Sequence, residues 1–192
     1  MSTLDRDDVI AGLRELVFEL QQVGGAAEVR LVGGAALSLR YFDRRATHDL
    51  DLVHVNPDVD GRVAAAAERV AARRGWSLDW LNFAVNRTGG VPAYGRDAEW
   101  VTVHDRAGIV IQVASKETLL AMKLRANRPG RDTRDIRLLL ALCGLATMAE
   151  VESFYESFYP GDALTDRAVR IVETILAGGA SAPPTPPPQL AL

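Results

Sequence analysis

The stretch LVGGAALSLRYFDRRATHDLDLVHV, residues 31–55, decides the fold. It opens as an apolar strand, breaks at Gly33-Gly34, and closes in a second apolar run that carries Asp49 and Asp51. Buried strands rarely accept two carboxylates. In a strand, residues i and i+2 point to one face. Asp49 and Asp51 are therefore expected to project together while Leu50 and Leu52 enter the core. Two adjacent carboxylates repel unless a cation lies between them, and Mg²⁺ prefers carboxylate oxygen together with substrate phosphates. The glycines fall between a strand and a helix. Glycine permits close backbone approach, and a helix N-terminus offers unpaired N–H groups to an anion. Together these features point to a phosphate cradle beside metal-binding carboxylates.

Working outward, hydrophobic spacing predicts a helix over 4–22, a strand over 28–32, a helix over 34–42 and a strand over 49–55. A helix follows over 58–74, closed by Gly75. Residues 76–86 fit a short helix or a loop. Residues 99–104 and 108–113 flank an Asp-Arg-Ala-Gly turn and read as a hairpin. Helices are predicted over 115–127, 132–143 and 163–177, with a further one opened by the Thr147/Glu150 capping box. The expected class is α+β: a small mixed sheet with flanking helices, then a helical C-terminal half. The expected organisation is a core over 1–113, a helical part over 114–178 and a Pro-rich flexible tail over 179–192.

The 192-residue chain has a net charge of −3, which gives no global attraction to nucleic acid. Its basic residues nevertheless concentrate between Lys116 and Arg137, a stripe that suits either a solvated helix face or a polyanion. The single cysteine, Cys143, lies in an apolar run and reads as a core thiol, which fits a reducing cytoplasm. The acidic N-terminus has none of the regions of a signal peptide, and no apolar run approaches a membrane span. With three histidines and one cysteine, a zinc site is not expected.

The order Gly33-Gly34-x-Ala36, then Thr47-x-Asp49-x-Asp51, resembles the signature of the DNA polymerase β-type nucleotidyltransferase superfamily. The later segment LLAMKLRANRPGRDTRDIRLLL is similar to the Lys…Arg-Asp-x-x-Asp pattern of the AbiEii/MenT-type toxin branch. The resemblance implies the nucleotidyltransferase fold, with Asp49 and Asp51 as ligands of Mg²⁺ (or Mn²⁺). It implies that Gly33 and Gly34 contact the phosphates of an NTP, with Thr47 near the metal or triphosphate. Lys123 would reach a phosphate, with Lys116 as the second candidate. Asp135 would complete the acidic site or help deprotonate the attacking hydroxyl, while Asp132 would cap a helix.

Many superfamily members have Gly-Ser where this chain has Gly33-Gly34, and many carry a third carboxylate on a nearby strand. Here the candidate strand, GIVIQV, offers only Gln112, which leaves the number of metals open. Arg40, Arg44, Arg45 and Arg131 are candidate RNA contacts. The otherwise bland reading of these arginines is a solvated surface or salt bridges. Lys123 could equally be a snorkelling lysine with its head in solvent.

The branch implies transfer of a nucleotide to the 3′ end of tRNA, and a cognate antitoxin as partner. Two other readings stand beside it. One keeps the chemistry but transfers to a protein or to a small molecule such as an aminoglycoside. The other is a non-catalytic nucleotide-binding module.

Overall fold

The structure is a computed structural model that describes residues 3–44, 47–179, 181–190 and 192. The chain divides into two compact units. The first comprises Met1–Thr88, Trp100–Ala114 and Thr185–Leu192, and the second Gly89–Glu99 and Ser115–Pro184.

In the first unit, helix α1 (Arg6–Val23) starts in a reciprocal capping box between Asp5 and Asp8 and ends at Gly24. Strand β1 (Ala27–Val32) runs directly into helix α2 (Gly33–Arg40), and strand β2 (Leu50–Val53) follows. Helix α3 (Pro57–Arg74) is capped by the Asn56 side chain, has Pro57 in its first turn, and stops at a left-handed Gly75. Strands β3 (Leu81–Asn82), β4 (Trp100–Arg106) and β5 (Ile109–Ala114) complete a mixed sheet of order β3-β2-β1-β5-β4. The β1–β5 and β2–β3 pairs are parallel, and the β1–β2 and β4–β5 pairs antiparallel.

Residues directly opposite each other share a face of a sheet. Register therefore sorts this one into two faces. Val29, Leu31, Leu50, Leu52, Ile109, Ile111 and Val113 form an apolar face, each at most 1% exposed. Helices α1 and α3 pack against each other and onto the sheet, adding Val9, Leu13, Leu16, Val63 and Val70 to that core. Arg30, Asp51, Val53, Gln112 and Thr102 belong to the opposite face.

The mixed α+β class read from the sequence is the one observed, with two local differences. Strand β3 lies inside the 76–86 segment; a two-residue strand is too short to show an alternation. The hairpin strands are shifted by one residue toward the C-terminus, and the first runs on to Arg106. Arg106 pairs with Ile109 across a two-residue turn in which Ala107 (φ 50°) and Gly108 (φ 77°) are both left-handed, the geometry that matches sheet twist. Within the ambiguous segment, Trp80 is buried and donates from Nε1 to the Ala67 carbonyl at 3.0 Å, so it is a core residue. Phe83 stacks on His54 with ring centroids 4.8 Å apart.

The second unit contains α4 (Lys116–Ala126), α5 (Thr133–Cys143), α6 (Met148–Phe158) and α7 (Asp166–Ala177). The Thr147/Glu150 box opens α6 as its sequence pattern requires. Cys143 is half-buried rather than fully in the core, and burial pushes its thiol up to about 12, which keeps it protonated. Residues 185–190 lie in the first unit without helix or strand, and Arg6 donates to the Pro188 carbonyl at 2.7 Å. No single helix among the described residues is long and apolar enough to cross a membrane.

Candidate functional site

The chain leaves β1 at Val32 and turns at once into α2. Gly33 has φ +68°, a left-handed conformation that costs a side-chain-bearing residue about 1–2 kcal/mol. Val32 occupies the N-cap position and its side chain makes no capping hydrogen bond. Strand register sets Asp51 opposite Val32, and a Cβ on Gly33 would lie only 2.9 Å from Asp51 Oδ2. Glycine at 33 is thus required twice, by its backbone angle and by the carboxylate against it. Gly33→Ala is expected to lower stability by about 1–3 kcal/mol. It should also displace Asp51, and the loss of stability is readable as a lowered melting temperature.

Gly34 is hemmed in similarly. A Cβ there would be 2.5 Å from Arg44 Nη1 and 2.8 Å from Thr47 Oγ1. The glycine pair gives up a serine hydroxyl, and the room is taken by a guanidinium and another hydroxyl. Thr47 is 9% exposed, and its hydroxyl donates to the Asp49 carbonyl at 3.0 Å. Its backbone is fixed from the other side by Leu4, through reciprocal N–H to carbonyl bonds of 2.7 and 2.8 Å. Leu4 therefore helps set the approach to the aspartates, a role that nothing in the sequence announces.

Asp49 and Asp51 are both half-buried, and the leucines that alternate with them are buried. That alternation is the one expected. Asn82 shows that the two carboxylates share a face: it is the register partner of Asp51, and its Nδ2 donates to Asp49 Oδ2 at 3.2 Å. Gln112, the polar group expected on a neighbouring strand, instead accepts from Arg30 Nε at 3.2 Å and pairs in register with Arg30 and Thr102. A polar neighbour of the aspartates is Asn82, which lies in a stretch without periodicity and so escaped the sequence reading.

Among the candidate RNA contacts, Arg40 is exposed and lines a groove with Val101–Val103 and the tail residues Pro187–Leu190. Arg44 is half-buried, with its guanidinium against Gly34 and beside Thr47. Arg131 is exposed in the second unit. Arg45 lies outside the described residues. His48 is exposed.

The second unit holds the other predicted group. Lys123, on α4, is 4% exposed; its ammonium is 2.5 Å from Asp132 Oδ1 and 2.9 Å from Asp135 Oδ2. The picture of a snorkelling lysine with its head in solvent is overturned: two carboxylates buried with it neutralise its charge, so it has no need of water. Asp132 does occupy the N-cap position of α5, but its carboxylate makes no capping bond. It points instead to Lys123 and to Arg128, which donates from its backbone N at 2.9 Å and from Nε at 3.1 Å. Burial pushes the Asp132 carboxyl up, but these hydrogen bonds and cations outweigh it and hold the group below its ordinary value. Lys116, the second phosphate candidate, donates to the Leu142 carbonyl at 2.6 Å.

Residues 15–95 match a family model described as Nucleotidyl transferase AbiEii toxin, Type IV TA system. This segment is similar to an AbiEii nucleotidyltransferase toxin domain. The matched segment takes in the second half of α1, the glycine turn, Asp49, Asp51 and Asn82; Lys123, Asp132 and Asp135 lie beyond it. No curated protein and no solved structure matches the chain. The match supports a nucleotidyltransferase toxin.

Among the described residues, no group of three or more His, Cys, Asp or Glu converges to hold a metal ion. Asp49 and Asp51 form a two-carboxylate set. That set fits Mg²⁺, which is commonly bound by one or two carboxylates and completed by water and substrate phosphates.

Proposed function

We propose that this chain is a divalent-metal-dependent nucleotidyltransferase that moves a nucleoside monophosphate from an NTP to the 3′ end of tRNA. The carrying observation is the contact between the glycine turn and the aspartate strand: Asp51 packs against Gly33 at a distance that leaves no room for a side chain. This brings the N-terminus of α2, with backbone donors suited to phosphate, against a carboxylate suited to a metal.

In this reading Gly33, Gly34 and Thr47 hold the triphosphate, and Asp49 and Asp51 hold Mg²⁺ or Mn²⁺. A cation held by Asp49 and Asp51 would supply Lewis-acid stabilisation of the charge that develops on the α-phosphate. The acceptor hydroxyl oxygen gives up its proton to solvent and forms a bond to the α-phosphorus, the bond to the bridging oxygen breaks, and pyrophosphate leaves with that electron pair. The residues of the turn contribute position and preorganised donors rather than covalent chemistry. Similarity to a type IV toxin–antitoxin family supports a cognate antitoxin as the partner of this protein.

The test is incubation of the purified full chain with each α-labelled NTP and Mg²⁺ in the presence of total RNA, protein and aminoglycosides. Label is expected in the tRNA fraction and at its 3′ terminus. Label confined to protein or to a small molecule would move the acceptor to that class. Metal-dependent NTP binding without incorporation anywhere would make the chain a binding module.

A further inference from the structure

Asn82 belongs to a strand of only two residues, yet each polar atom of its side chain is committed. Its Oδ1 accepts from the Ala84 N–H at 2.9 Å. Its Nδ2 donates to the Asp79 carbonyl at 3.3 Å and to Asp49 Oδ2 at 3.2 Å. The Ala84 contact fixes which end of the amide is oxygen, so the group turned to Asp49 is a donor. The parallel pairing of Leu81 with Leu50 and of Asn82 with Asp51 sets the height of this donor along the aspartate strand.

A donor at this point has a definite consequence. It fixes one oxygen of Asp49 and with it the carboxylate's orientation, and being neutral it adds no charge to a site that already has two. Hydrogen bonds to a ligating carboxylate are known to sustain metal affinity, their loss costing about 10–100-fold.

We propose that Asn82 is a positioning residue: it holds Asp49 Oδ2 and so presents Oδ1 to a divalent cation. This inference rests on the metal-dependent reading above. It also accounts for an amide rather than a carboxylate at this position. Aspartate would set an acceptor against Asp49 and against the Asp79 carbonyl, and would make three negative charges adjacent.

The probe is Mn²⁺ alone, titrated by electron paramagnetic resonance against the full chain and its variants over pH 5.5–8. The wild type should bind, and Asp49→Ala should lose binding. Asn82→Ala should weaken binding about 10-fold or more at every pH while retaining its circular dichroism. Asn82→Asp should make the affinity steeply pH-dependent. Its extra carboxyl takes up a proton in the metal-free site, because like charges raise carboxyl pKa values, and must release it when Mn²⁺ binds. A residue that merely shapes the loop would not change that pH slope. If Asp49→Ala lowers Mn²⁺ affinity but Asn82→Ala matches the wild type, or if Asn82→Asp leaves the pH slope unchanged, the role of Asn82 is overturned. If Asp49→Ala also binds Mn²⁺ normally, the metal reading falls and this inference with it.

Discussion

Asp49→Ala is expected to abolish nucleotidyl transfer, by about 10³-fold or more, with the fold intact. The magnitude follows from several kcal/mol of transition-state charge stabilisation at about 1.4 kcal/mol per tenfold in rate. The fold should survive because Asp49 contributes no core packing. Leu50 and Leu52 fill the apolar face, and Asp49 is half-buried and accepts a hydrogen bond from Asn82. Asn82 would keep its bond to the Asp79 carbonyl after the substitution. A thermal melt within a few degrees of wild type, with labelled-NTP incorporation gone, is the expected pair of results. Turnover near the wild-type rate would refute Asp49 as a metal ligand and the chemistry built on it.

Lys123→Ala should have the largest effect on stability. It removes an ammonium that lies 2.5 Å from one buried carboxylate and 2.9 Å from another. Breaking a buried ion pair by deleting one partner typically costs about 3–5 kcal/mol, because a charge is left without its counter-ion in low dielectric. For a chain of this size that corresponds to roughly 10 °C in melting temperature. Arg128 would still hold Asp132, which moderates the loss. A Lys123→Ala variant as stable as wild type would show that the ion cluster does not hold the second unit together.

The same cluster gives stability a pH dependence with a determined sign. The Asp132 carboxyl is held below its ordinary value in the folded state. Its contribution is therefore complete above the ordinary carboxylate range and is lost as pH falls through the depressed folded value. Denaturation midpoints should drop in that acid window for the wild type and change less for Asp132→Asn.

Residues 31–55 illustrate how far local pattern reaches. The strand, the glycine break, the helix and the second strand follow one another as the periodicities require, because alternation and turn chemistry are properties of near neighbours. The facing of Asp49 and Asp51 away from Leu50 and Leu52 follows from the same alternation. The Thr147/Glu150 box and the Asn56-Pro57 start of α3 were legible for the same reason: a cap is complete within four residues.

The partners of those residues come from far along the chain, and no local pattern encodes them. Asp49 meets Asn82, and Thr47 meets Leu4, because strand pairing and an isolated bridge bring them together. Arg44 is near Gly34 in sequence, but its guanidinium fills the space over that glycine only once the connection between α2 and β2 has folded. Lys123 shows the limit most clearly. Its apolar neighbours suggested a side chain reaching for water, whereas packing of α4 against α5 buries it between Asp132 and Asp135. The sequence by itself determined the longer elements and which face each aspartate takes, since both are set by spacing along the chain. Only tertiary structure decided which side chain stands beside each charge, since that depends on contacts between segments distant in sequence.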